Sequence, residues 1–172
     1  YSGTELEQRL AGEGRLEGDY RSYGYRMRDP RAEAMFRILR VAFHERALAI
    51  SSLLNRLISL SFARQLHEHF FPGPATDALS AAITALTREV RHDTLDPTRA
   101  IHAFAAGTDP HDKSALRRFA VDQALAIGTF DAPRRIEAGR QWLALHARGW
   151  QRTQGSRRRQ AVNHDFRVAA GS

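Results

Sequence analysis

The sequence predicts an all-α protein, a single-domain bundle of five to six helices with a long central helix, a polar N-terminal arm and a basic C-terminal tail. Three observations carry that expectation. Apolar residues recur at three- and four-residue spacing through most of residues 29–150. The dipeptide Asp-Pro, which marks helix starts, occurs three times. Outside a tyrosine-rich stretch, no run of four or more β-branched or aromatic residues alternates strictly enough for a strand. At 172 residues the chain suits one core, so we divide it into an arm (1–28), a helical domain (29–150) and a tail (151–172).

The elements follow in order. Thr4 and Glu7 have capping-box spacing, and Gly12 and Gly14 close a short first helix. Residues 15–28 mix glycine, arginine and Tyr20, Tyr23 and Tyr25 without helical period, which suits an arm lying on the domain. Asp29-Pro30 then opens a helical pattern reaching about residue 71, where Phe71-Pro72-Gly73-Pro74 stops it. Met35, Phe36, Ile38, Leu39, Ala42, Phe43, Ile50, Leu53, Leu54 and Leu57 fall in one arc, so a single kinked spine is favoured over two helices joined at Ser51 and Ser52.

Thr76 or Asp77 caps the next helix, whose apolar stripe is Leu79, Ala82, Ile83, Leu86 and Val90. Asp96-Pro97 starts a short helix closed by Gly107, and Asp109-Pro110 starts another closed by Gly128. A last helix is expected from the segment 131–133 to Trp150. Its apolar side carries Ile136, Gly139, Trp142, Leu143, His146 and Trp150, and its solvent side carries Arg134, Glu137, Gln141 and Arg148. Residues 151–172 hold little that would anchor to a core.

Composition bounds the function classes. With no cysteine there is neither a disulfide framework nor a thiolate zinc site. No stretch approaches the roughly 20 uninterrupted apolar residues of a membrane span; the nearest, residues 47–63, is interrupted by Asn55 and Arg56. The opening residues carry no basic-then-apolar leader pattern, and Tyr1 in place of methionine agrees with a trimmed or processed start. Lys113 is the sole lysine among 26 basic residues, an arginine bias that suggests a GC-rich bacterial or viral coding genome and, without cysteines, a cytoplasmic setting.

Charge is concentrated at one end. Residues 1–28 and 29–133 are each neutral, whereas residues 134–172 set nine arginines against Glu137 and Asp165 and hold the whole formal +7. Guanidinium groups pair bidentately with phosphate, so Arg134, Arg140, Arg148, Arg152, Arg157, Arg158 and Arg159 are the candidate nucleic-acid contacts, with Arg135 and Arg167 beside them. A solvated face in an arginine-rich chain is the plainer reading of the same residues. Arg46 sits inside the apolar arc of the expected spine with Arg64 projecting similarly, and the two are candidates for a protein interface. A break near Ser51 would remove that anomaly.

Catalytic signals are sparse. Arg64 and His69 have a spacing that resembles the arginine-to-histidine signature of HEPN ribonucleases, a resemblance that implies a helical nuclease. His-Asp pairs occur at His92-Asp93, His111-Asp112 and His164-Asp165. They resemble the motif of HD-type metal phosphohydrolases, and that resemblance nominates His44, His92, Asp93 and Asp131 as metal ligands. No family pattern covers a substantial part of the chain, no nucleophile elbow or glycine-rich phosphate loop is present, and no catalytic residue, metal or cofactor is expected. The sequence favours a non-enzymatic binding or scaffold protein that associates with nucleic acid or a nucleoprotein through its C-terminal arginines. An acidic protein partner would suit the same arginines, and the alternative function is a helical adaptor that binds another protein through Arg46 and Arg64; no reading sets the oligomeric state.

Overall fold

A computed structural model describes the backbone of residues 3–18 and 24–169 and the side chains of those residues up to Arg148. The fold is all-α. In chain order the elements are α1 (Glu5–Gly12), β1 (Leu16–Glu17), β2 (Gly24–Tyr25), α2 (Pro30–Ala42), a π-helical turn (His44–Leu48), α3 (Leu53–Phe70), α4 (Pro74–Asp93), α5 (Leu95–Gly107) and α6 (Lys113–Ala169). The described residues fall into two compact units, one of residues 1–44 and 94–127, the other of residues 45–93 and 128–172.

In the first unit, Thr4 caps α1 by accepting from Glu7 N–H at 3.3 Å, while the Glu7 carboxylate accepts from Gly3 N–H. Gly14, at φ +64°, closes the helix and lets Arg15 N–H reach Leu10 C=O at 2.9 Å. The arm contains a minimal antiparallel ladder, Leu16 opposite Tyr25 and Glu17 opposite Gly24, where no strand was expected. Tyr20 and Tyr23 lie outside the described residues. Asp29 caps α2 through Arg31 N–H at 2.8 Å, with Pro30 at the first helical position. Helix α2 buries Ala34, Ile38 and Ala42 at four-residue spacing and packs on α5, which buries Ile101 and Ala105. The rings of Phe104 and Phe119 stack with centroids 3.9 Å apart.

The second unit is a three-helix packing in which Leu53, Leu57 and Leu60 of α3, Ile83, Leu86 and Val90 of α4, and Ala138 and Leu145 of α6 form one core. The expected long spine is corrected here. Helix α2 ends at Ala42, a π turn follows, and Ser52 caps α3 by accepting from Asn55 N–H at 3.3 Å. Asn55 Nδ2 donates to the carbonyls of Ala49 and Ile50. Serine and asparagine thus supply the bonds that a continuous helix would have made in its own backbone.

Other boundaries also differ from the sequence expectation. Helix α4 begins at Pro74, directly after Gly73 at φ +142°, and the Thr76 hydroxyl donates to Phe71 C=O instead of capping. Helix α6 runs without interruption through Gly128 and Pro133, where two helices were expected, and continues to Ala169, so residues 151–169 are helical rather than frayed. Its start is set by Asp112, which accepts from Ser114 and Ala115 N–H, two residues after the expected Pro110.

Candidate functional site

The two arginines expected at an interface are both used inside the second unit. Arg46, on the π turn, is completely buried. Its Nε donates to both Asp131 carboxylate oxygens at 3.1 Å, and its Nη2 donates to Asp131 at 2.7 Å and to Asp93 at 2.7 Å. Burial disfavours the cation, but the hydrogen bonds to Asp131 and Asp93 outweigh that penalty and raise its pKa further. Arg46 is therefore an internal ion-triad residue and does not face a partner. Arg64 donates to Glu68 at 2.7 Å and to Ser80 Oγ at 3.1 Å, which ties α3 to α4.

These contacts also place the residues of the two enzyme resemblances. Asp93 and Asp131 do converge, but on a guanidinium, while the His92 side chain is exposed. Among the described residues no three His, Asp or Glu side chains come together as a metal site. Arg64 is committed to Glu68, and His69 packs edge-on against Phe70.

The candidate phosphate-binding arginines divide into three groups. Arg134 pairs with Glu89, donates to Phe130 C=O at 2.8 Å and lies over the Phe130 ring at 3.7 Å. Its neighbour Arg135 donates to Ser51 C=O at 3.3 Å and to Glu45 C=O, closing the break before α3. Both are structural. Arg140 is solvent-exposed beside Glu137, and Arg148 is half-buried. The side chains of Arg152, Arg157, Arg158, Arg159 and Arg167 lie outside the described residues, although their backbone is helical.

The chain matches no family model, no curated protein and no solved structure compared with it. Any functional reading therefore rests on the molecule's own surface.

That surface inverts the expected orientation of α6. The side expected to face water carries the buried Ala138, Gln141 and Leu145, with Arg134 tucked beside them. The apolar side is exposed, with Ile136 60%, Leu143 69% and Trp142 39% accessible. Gln141 keeps its Nε2 bonded to Glu137 at 3.0 Å but leaves Oε1 without a partner among the described residues. Helix α3 shows the same excess. Opposite its buried leucines it exposes Ile58, Phe62 and Leu66 at four-residue spacing, the first two each 63% accessible. A helix with apolar residues on two opposite faces commonly has both covered.

Between these helices lies a groove of about 330 Å³. Asn55, Arg56 and Ser59 of α3 form one wall, Ala138, Gly139 and Trp142 of α6 the other, and Ile50 stands at one end. Ile50 is 97% exposed, although the sequence had placed it in the core arc. The residues of this groove were missed because amphipathic periodicity assigns apolar residues to a core and has no term for a partner.

Proposed function

We propose that the chain is a helical binding protein that docks another protein on the outward apolar faces of α3 and α6. The observation that carries this reading is the inversion of α6, with Ile136, Trp142 and Leu143 turned to solvent while Gln141 is buried. Large apolar side chains exposed together on one helix face favour an interaction site over the scattered single residues of an ordinary surface. The cysteine-free, arginine-rich composition supports a bacterial cytoplasmic setting. Photo-crosslinking in native cells tests the reading. A benzophenone side chain at Phe62 or Leu143 should yield discrete protein adducts that the same probe at exposed Asp77 does not. Equal labelling from all three positions, or none, defeats it.

A second reading, nucleic-acid association, is supported by the continuation of α6. The last buried apolar residue of α6 among those described is Leu145, yet the helix reaches Ala169. Arg148, Arg152 and Arg159 thereby recur at helical spacing, with Arg157 and Arg158 beside them. Backbone neutralisation releases counterions, so affinity should fall steeply with salt. A chain lacking residues 153–172 should bind duplex or single strands about tenfold more weakly at low salt. An intact chain that shows no salt-dependent binding at about micromolar concentration removes this reading.

A further inference from the structure

We infer that the cleft between the N-terminal ladder, α2 and the start of α6 binds a phosphate monoester of nucleotide size. Its walls are drawn from residues 13–17, 26–37 and 110–116, all within the first unit, and it encloses about 960 Å³. Pockets for small ligands run to about 300–1,000 Å³, so this one has room for a whole nucleotide. Five cations line it, Arg15, Arg26, Arg28, Arg37 and Lys113, against the three carboxylates of Glu13, Glu17 and Glu33. With His111 neutral, the lining holds an excess of two positive charges.

The two surplus cations can be named. Glu13 accepts from Arg15 at 2.7 Å and also from Arg28, so one carboxylate answers two guanidinium groups, and Arg28 is 73% exposed. Lys113, the first residue of α6, is exposed and makes no ion pair among the described residues. Arg37 and Arg26 are matched one to one, by Glu33 at 2.6 Å and by Glu17 at 2.9 Å. The Arg26–Glu17 pair is half-exposed and opens at little cost. A phosphate monoester carries about −1.5 to −2 at pH 7, which matches the surplus. Guanidinium groups take its oxygens in pairs, and an ammonium adds a point charge. Met27, Pro110 and Leu116 supply apolar wall for the body of the ligand. Nucleic acid is the poorer occupant, because the phosphates that follow the first would meet Glu13, Glu17 and Glu33. The cleft shares no residue with the faces of α3 and α6, so the inference is independent of the docking reading.

The experiment uses the full chain, in which Lys113 is the sole lysine. Isotope-labelled reductive methylation keeps its charge and gives one side-chain dimethylamine signal, apart from that of the α-amine, to follow by NMR. The probes are AMP, adenosine, inorganic phosphate and an oligonucleotide with hydroxyl ends. AMP should move the Lys113 signal saturably with a Kd of about 100 µM or tighter, and adenosine should leave it in place. In calorimetry on unmethylated protein, Lys113→Met and Arg28→Gln should each weaken AMP binding about tenfold or more. Arg99→Gln, which removes an exposed arginine of the same unit outside the cleft, should not. Lys113→Met removes no ion pair among the described residues and should keep the parent's melting curve, so it decides the matter even if Arg28→Gln fails to fold. No saturable shift with AMP, equal affinity for AMP and adenosine, or unchanged AMP affinity in folded Lys113→Met overturns the inference. Inorganic phosphate that binds as tightly as AMP overturns the assignment of size. Tighter binding of the oligonucleotide than of AMP overturns it too, since the cleft would then be a nucleic-acid contact.

Discussion

Asp131 and Arg46, 85 residues apart in sequence, form a buried forked ion pair in which Nε and Nη2 of one guanidinium reach the same carboxylate. Asp93, at the last residue of α4, accepts from the same Nη2 and ties a third element to the pair. A buried carboxylate without its cation is expensive, so the triad fixes the position of the π turn more than it adds net stability.

Arg46→Leu should therefore destabilise the protein by about 3 kcal/mol, because the nearly inaccessible Asp131 is left charged and unpaired. Arg46→Lys should recover only part of the loss, since one ammonium does not reproduce the fork. The double variant Arg46→Leu with Asp131→Asn should lose less than the two single-variant losses added together. Urea unfolding of the four proteins decides this, and single variants whose losses simply add would refute the coupling.

The two faces of α3 should respond oppositely to truncation. Leu57→Ala opens a cavity in the core and should cost about 3 kcal/mol. Ile58→Gln and Phe62→Gln, on the exposed face, should change unfolding free energy by less than about 0.5 kcal/mol. A large loss from Phe62→Gln in the isolated chain would show that this face is part of the fold.

Acid should weaken the protein through three carboxylates. The Glu13 carboxylate is lowered to about 2 by hydrogen bonds from Arg28 and Arg15. Burial of Glu33 pushes upward, but the bonds from Met27 N–H and Arg37 prevail and lower it. Glu68 is lowered chiefly by the Ser80 hydroxyl and by Arg64. A depressed carboxylate contributes its full stabilisation above its unfolded value near 4.5 and loses it as pH falls through the folded value. The urea midpoint should thus decline on acidification below pH about 4.5. Glu13→Gln should flatten the lower part of that decline, towards pH 2.

Gly128 sits within α6 with an exposed position and open space where a Cβ would stand. Gly128→Ala should raise unfolding free energy by about 1 kcal/mol, the usual helix-interior difference between the two residues. A thermal melt suffices, and a fall in melting temperature would contradict the helical geometry there.

Local signals read well where backbone groups are satisfied locally. Thr4 and Asp29 cap helices because each side chain meets free N–H groups a few residues away, whereas the Ser52 cap was passed over because the apolar arc runs on across it. The Asp-Pro rule is looser, since any of the first helical residues has a spare N–H. Pro97 fits as the third residue of α5, and Pro110 precedes a start set by Asp112. Gly128 and Pro133 misled because packing along α6 overrides two weak breakers. The triad was hidden because no periodicity connects Arg46, Asp93 and Asp131. The groove was hidden because its apolar residues satisfy the helical period as well as core residues do, and burial alone separates Leu57 from Ile58.

The outward faces of α3 and α6 also bear on how much of the protein a cell can keep. Ile58, Phe62, Leu143 and Ile136 present to the surroundings the kind of surface that chaperones retain and proteases sample. If those faces dock a protein as proposed, newly made chain without it would be subject to turnover, and chain bound to it would be shielded. Steady-state abundance should then follow partner supply more closely than transcript level, giving the cell stoichiometric control without a dedicated regulator.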